Sequence, residues 1–127
     1  MGLLSGLLGN ASTIDAGKLS ADLAPILAAE ESIEVAFQVI RDQFVFTSAR
    51  LLLIDKQGLT GKKVEYLSIP YKAITRFSVE TAGHFDLDAE LKVWVSGASA
   101  PIEKTLRGTE NVTEIQKALA TAVLAMQ

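Results

Sequence analysis

Residues 33–40 read IEVAFQVI. Large apolar side chains occupy every odd position from 33 to 39, and the even positions between them include Glu34 and Gln38. This period of two is typical of a β-strand with one buried face. Six further strands follow at residues 44–47, 51–54, 64–69, 74–79, 91–95 and 102–106, with turns predicted at 41–43 and 55–58. Seven strands at intervals of about ten residues predict an antiparallel barrel or sandwich.

Helical patterns flank the strands on both sides. Residues 1–30 predict short helices, because leucines recur at helical spacing at positions 3, 4, 7 and 8. Ser12 is a candidate N-cap, with Asp15 three residues on. Pro25 starts or kinks a helical turn. Residues 109–127 predict one amphipathic helix, with Asn111 and Glu114 as a capping box. Its apolar face contains Val112, Ile115, Leu119, Val123 and Met126. Such a helix must cover an apolar surface, most simply the open end of the barrel.

Composition excludes several classes of function. The chain has 127 residues, no cysteine, one histidine (His84), and a net charge of −3 from 12 basic and 15 acidic residues. Thiolate chemistry and multi-histidine metal sites within one chain are excluded, and nucleic-acid binding is disfavoured. The first basic residue is Lys18, so no basic region precedes the apolar start, and a cytoplasmic location is expected. The apolar share of 49% predicts contacts between subunits.

Two motifs could form a cation site or a catalytic pair, but each also has a purely structural interpretation. Asp86, Asp88 and Glu90 could hold a hard cation or could lie in a solvated hairpin. Glu80 and His84 could form an acid–base pair, but no nucleophile or oxyanion loop accompanies them. We therefore predict no catalytic, metal-binding or cofactor-binding residues, and no enzymatic activity.

A group of basic residues in the middle of the chain could bind a lipid headgroup or a phosphate. Lys62, Lys63 and Lys72 are the candidates, with Arg76 downstream; the alternative is a solvated hairpin with extended lysines. The leucine-rich turn at residues 3–8 could enter a membrane interface or dock on this or a neighbouring subunit. Trp94 fits either the core or an interface.

Four blocks in order resemble the bacterial pleckstrin-homology (PH) domain family. An Arg-Asp pair and a T-x-x-R segment lie in residues 40–51, and the other blocks are residues 62–71, 74–86 and 91–94. The resemblance covers roughly residues 12–126. It implies a mainly β fold with helices: a bent seven-stranded antiparallel barrel capped by a C-terminal helix. The expected organisation is a helical segment at 1–30 and a PH-like domain at 31–127.

The resemblance also implies a kind of function. Similar proteins form cyclic homo-oligomeric rings, such as pentamers, and offer a hydrophilic strand face to protein partners. We expect Arg41, Arg76, Glu80, His84 and Asp86 to form that face. Eukaryotic PH domains bind phosphoinositides through lysines and arginines around the first hairpin, where Arg41 and Asp42 here cancel in charge. Protein binding is therefore the first hypothesis, and peripheral membrane binding is the alternative.

Overall fold

Within the residues that the structure describes, the chain folds into two antiparallel sheets and two α-helices. This computed structural model describes residues 14–39, 42–81, 88–106 and 111–125. Helix α1 (Ala16–Leu23) is followed by strands β1 (Ile33–Val39), β2 (Asp42–Thr47), β3 (Arg50–Gln57) and β4 (Lys63–Pro70). A 3-10 turn (Tyr71–Ala73) leads to β5 (Ile74–Thr81), β6 (Ala89–Val95), β7 (Ile102–Thr105) and helix α2 (Val112–Leu124). The predicted order of seven strands and a closing helix is confirmed.

Each sheet is a meander in which consecutive strands pair. The first sheet has the order β1-β2-β3-β4 and the second has the order β5-β6-β7. The inner faces of both sheets enclose the main core, which includes Phe37, Phe46, Leu53, Leu91 and Val93. The rings of Phe37 and Phe46 meet edge to face with centroids 6.0 Å apart. Helix α2 adds Ile115, Leu119 and Val123 to this core and so closes the barrel.

The first sheet is also covered on its outer face. Leu19 and Leu23, one helical turn apart on α1, pack on Ala36, Val45, Leu52 and Ile54. Asp15 caps α1, since its carboxylate accepts hydrogen bonds from the amides of Gly17 (2.9 Å) and Lys18 (3.4 Å). Helix α1 therefore packs on the first sheet of its own chain, and it ends before Pro25.

Several local predictions were wrong. Asp42 and Gln43, predicted as a turn, belong to β2 and pair with Val39 and Gln38. Asp55, Lys56 and Gln57, also predicted as a turn, continue β3 and pair with β4. The cap of α1 is Asp15, whereas Ser12, the leucine-rich turn at 3–8 and Met126 lie outside the described residues.

The predicted capping box of the C-terminal helix is also not formed. Asn111 occupies the N-cap position of α2, but its side chain makes no capping hydrogen bond. Its fully buried position places the side chain in the protein interior instead of at a solvated helix end.

Candidate interaction face

A polar surface covers the outside of the second sheet. The register places Arg76 opposite Trp94, Ser78 opposite Lys92, and Glu80 opposite Glu90. It then places Lys92 opposite Glu103 and Glu90 opposite Thr105 on the third strand. Because side chains alternate between the faces of a strand, these eight residues share the side opposite Phe77, Leu91 and Val93. We call this surface the polar face: Arg76, Ser78, Glu80, Glu90, Lys92, Trp94, Glu103 and Thr105.

Arg76 and Trp94 form one end of the polar face. The Arg76 guanidinium carbon lies 4.3 Å from the centroid of the Trp94 ring, within the range of a cation–π interaction. Trp94 is half-buried and belongs to neither apolar cluster of the described chain. Of the two positions open for this tryptophan, the structure therefore places it on the outer surface instead of in the core.

Glu80 and Glu90 form the other end. They are directly opposed across β5 and β6, and Glu80 is exposed. The Thr105 hydroxyl donates a 2.6 Å hydrogen bond to Oε2 of Glu90. The structure therefore places Arg76 and Glu80 on one surface. Arg41, His84 and Asp86, the other three candidates for that surface, lie outside the described residues.

The lysines predicted for a lipid headgroup do not converge. Lys62 and Lys63 lie at the start of β4, whereas Lys72 lies in the 3-10 turn beyond its end. The seven residue steps of this strand separate the two positions by about 23 Å. The length of β4 therefore separates Lys72 from Lys62 and Lys63, and a shared lipid-headgroup contact stays a prediction.

An exposed leucine lies in the same hairpin as Lys62 and Lys63. Leu59, at the tip of the β3–β4 hairpin, is fully exposed at 104%, and Lys56, Lys62 and Lys63 around it are also exposed. Gly58 and Gly61 turn the chain there with φ of 78° and 68°. Leu59 was not predicted as a surface residue, although a leucine between Gly58 and Gly61, directly after a predicted turn, has no core to join.

A buried ion pair ties three segments together. Arg50 contacts Glu31 through Nε (2.8 Å) and Nη2 (3.0 Å), and the Glu31 side chain is only 2% exposed. Arg50 also donates to Ser68 Oγ and to the carbonyl of Ile26. The hydroxyl of Thr47 donates to Glu31 (2.6 Å) and accepts from the amides of Ala49 and Arg50. The T-x-x-R segment at 47–50 therefore stabilises the fold, because it anchors the linker after α1 to the β2–β3 turn.

The polar groups of this cluster have displaced pKa values. Burial tends to raise the pKa of Glu31, but hydrogen bonds from Arg50, Thr47 and the Ala28 amide outweigh it and lower the pKa from 4.5 to about 2. Burial raises the pKa of Tyr71, whose hydroxyl donates to the carbonyl of Thr47 at 2.7 Å. Glu31 is therefore ionised, and its carboxylate accepts hydrogen bonds that stabilise the fold.

A second polar contact joins the two sheets. Lys104 of β7 lies 3.6 Å from Oδ2 of Asp55 on β3. The pKa of Asp55 lies below its ordinary value because its carboxyl group shares a hydrogen bond with that of Asp42, its cross-strand neighbour, with smaller contributions from Gln57 and Lys104. This contact is half-exposed and serves to link the sheets.

The described part of the chain offers no grouping for metal chemistry. Across residues 14–39, 42–81, 88–106 and 111–125, no three acidic or histidine side chains come together in an arrangement that could hold a metal ion. Of the acidic run at 86–90, Asp86 is outside those ranges, while Glu90 belongs to the polar face. No helix within the same ranges has the length and apolar character needed to cross a membrane.

Comparison with known proteins places this architecture in a family. The family model described as "Bacterial PH domain" matches residues 2–123. The chain belongs to the bacterial PH domain family. A pleckstrin homology domain from Shewanella amazonensis SB2B superposes with a TM-score of 0.85 at 57% identity, covering 94% of this chain and 96% of that one. The PH-like barrel with its C-terminal helix is thereby confirmed.

Other proteins similar to this chain have names that assign no activity. A DUF1696 family protein with a pleckstrin-homology domain from Shewanella loihica PV-4 matches with a TM-score of 0.77 and 54% identity, covering 90% of this chain and 97% of that one. The uncharacterized protein YjqA of Bacillus subtilis (strain 168) is 56% identical over 94% of this chain and 97% of its own length. The uncharacterized YozO of the same strain is 32% identical over 77% of this chain and 82% of its own. None of these names indicates an enzyme family.

Proposed function

We propose that this bacterial PH domain is a non-enzymatic interaction module whose polar face binds a protein partner. The observation that carries the proposal is the Arg76–Trp94 stack on an exposed sheet surface. Tryptophan and arginine are the residue types most enriched among those that dominate binding energy at protein interfaces. The barrel core does not require either side chain at this position, because both lie on the outer side of the second sheet.

Partner capture from a bacterial lysate tests the face. The variant Arg76→Ala/Glu80→Ala removes one positive and one negative charge from the polar face, and we expect it to lose the captured partner. Lys18→Ala/Asp22→Ala removes the same two charges from exposed positions on α1 and is the matched control. Retention of the partner by the first variant, at the level of the control, would place the binding surface elsewhere.

We further propose that the module works as a cyclic homo-oligomer. Support comes from the open edges of both sheets: β4 and β5 each pair with one neighbour in the described chain. An edge strand has free backbone groups along one side that can pair with a second copy. Exposed Tyr66 on β4 adds apolar area beside that edge.

The mass in solution tests this assembly. A single species whose mass by light scattering is several times the 13.6 kDa of one chain is the expected result. A monomer at all concentrations would remove the ring from the proposal and leave the polar face to be tested on its own.

Membrane binding is a second candidate, favoured by the exposed Leu59 and its three lysines. A leucine can enter the headgroup region while nearby lysines contact anionic lipids. Vesicles of phosphatidylcholine with phosphatidylglycerol, at low salt, are the probe. We expect Lys62→Glu/Lys63→Glu to reduce cosedimentation far more than Lys72→Glu, which changes an exposed lysine at the distant end of β4. Equal binding by all forms, or none by the unaltered protein, would reject this candidate.

A further inference from the structure

The Arg76 guanidinium is held in place but unused. Its contact with the face of the Trp94 ring restricts the side chain, yet no carboxylate within the described ranges hydrogen-bonds to it or pairs with it. A planar guanidinium presents its donors in a fixed fork that matches a carboxylate with two parallel bonds. Because the aromatic ring already restricts the side chain, less conformational entropy is lost when a ligand arrives. Arg76 is therefore suited to an incoming acidic side chain.

The other end of the polar face, at Glu80 and Glu90, is suited to an incoming basic side chain. Like charges directly across an antiparallel pair destabilise a sheet, and Glu80 and Glu90 are such a pair. Thr105 donates one hydrogen bond to Glu90, but neither glutamate forms an ion pair with a cation in the described part of the chain. A lysine or arginine placed between the two carboxylates would relieve this repulsion. The face thus has a cationic end and an anionic end.

The spacing of the two ends defines the ligand. Arg76 and Glu80 are four residues apart on β5, which corresponds to about 13 Å in an extended chain. Residues i and i+4 of an extended segment lie on one side and span the same length, whereas residues i and i+3 lie on opposite sides. We propose that the polar face binds an extended segment of the partner protein that carries one acidic and one basic side chain four residues apart. This inference rests on the proposed function and specifies the partner's chemistry.

Trp94 provides the readout, because it is the only tryptophan in the chain. The probes are nine-residue peptides without tryptophan or tyrosine, rich in threonine and valine, with one glutamate and one lysine. One pair of peptides has these residues at i and i+4 in either order, and the control pair has the same composition with spacing i and i+3. We expect a saturable change in Trp94 emission with one i+4 peptide, and at least tenfold weaker binding of both controls. Equal affinity for the two spacings, or no change with any peptide, would overturn the inference.

Charge exchange tests the assignment of the two ends. Glu80→Lys/Glu90→Lys should lose the glutamate–lysine peptide and gain at least tenfold in affinity for a peptide with glutamates at both i and i+4. Lys18→Glu/Asp22→Lys, which exchanges two charges on exposed α1, should change neither affinity. Failure of the exchange to restore binding would overturn the assignment of the ends.

The result is separable from that for the proposed function. Loss of captured partner in Arg76→Ala/Glu80→Ala, combined with no preference for i+4 peptides, would keep the polar face as the binding surface and reject the charge spacing. Unchanged capture by that variant would reject both the face and the spacing.

Discussion

The outer faces of the two sheets differ in what covers them. On the first sheet, β2 and β3 each contain four consecutive buried residues, 44–47 and 51–54, because the core packs on one side and α1 on the other. On the second sheet, the residues of β6 opposite to the core are only half-buried. Continuous burial along a strand therefore indicates two covered faces, and alternation indicates one.

This difference separates structural from functional charge. Next to the covered sheet, the charged pair Glu31–Arg50 is enclosed and makes hydrogen bonds to three segments of the chain. On the second sheet, Arg76 and Glu80 are exposed and belong to neither apolar cluster of the described residues. The same residue types thus stabilise the fold in one sheet and are available to a partner in the other.

The largest expected effect contrasts one substitution on each outer face. Val45→Asp introduces a carboxylate beneath α1, where the side chain is fully buried, and should lower the free energy of unfolding by about 4 kcal/mol or prevent folding. Ser78→Asp, on the polar face, should change it by no more than about 0.5 kcal/mol. Chemical denaturation of both variants provides the comparison. Similar destabilisation by the two would show that the second sheet is also covered.

Loss of Arg50 has the next largest effect. Arg50→Met leaves the Glu31 carboxylate buried without its cation and should cost about 3 kcal/mol. Lys104→Met breaks the half-exposed contact with Asp55 and should cost about 0.5 kcal/mol. Urea midpoints at pH 7 distinguish them, and equal losses would mean that Glu31 is well solvated.

Glu31 also makes the stability depend on pH. Its folded pKa, about 2, lies below its ordinary value of 4.5, so its contribution is fully present above pH 4.5 and is lost as pH falls towards 2. The unaltered protein should lose stability in this window, and Glu31→Gln should lose less. Thermal melts at pH 6, 4 and 3 measure the difference. Parallel pH profiles for the two proteins would assign the acid sensitivity to other carboxylates, Asp55 first among them.

The smallest effect concerns the Arg76–Trp94 stack. Arg76→Ala should change the free energy of unfolding by less than about 1 kcal/mol, since an exposed cation–π contact contributes little. It should nevertheless alter Trp94 emission, which Glu80→Gln, farther along β5, should leave unchanged. A large loss of stability would show that Arg76 supports the fold instead of the surface.

The sequence predicted the fold closely but misplaced several turns. Alternation identified β1, and the apolar stripe identified α2, because each pattern repeats over several residues. Aspartate is common in turns, and aspartate and lysine are depleted in strands, yet the pairing of residues 55–57 with residues 63–65 keeps them in the sheet. Local composition could not reveal this pairing, which depends on the neighbouring strand.

For the site, single positions were easier to predict than combinations. Arg76 and Glu80 could be predicted as surface residues from the sequence block that contains them. The contact of Arg76 with Trp94 depends on the register of β5 and β6, which shifts between Ile74 and Arg76. Likewise, the T-x-x-R segment was recognised, while its partner Glu31 lies 19 residues before Arg50 and had no local signal. Such contacts arise only when distant strands align.

The Glu31–Arg50–Thr47 cluster has a consequence for the order of folding. It joins chain segments that meet only after the β2–β3 turn and the end of β4 have formed. Helix α1, with eight residues, is too short to persist alone, so we expect it to dock after the barrel and to open before it. Amides of α1 should therefore exchange with deuterium through a local opening, well before those of β2 and β3. Such exchange would reveal a partly open state in which α1 has detached while the barrel remains folded.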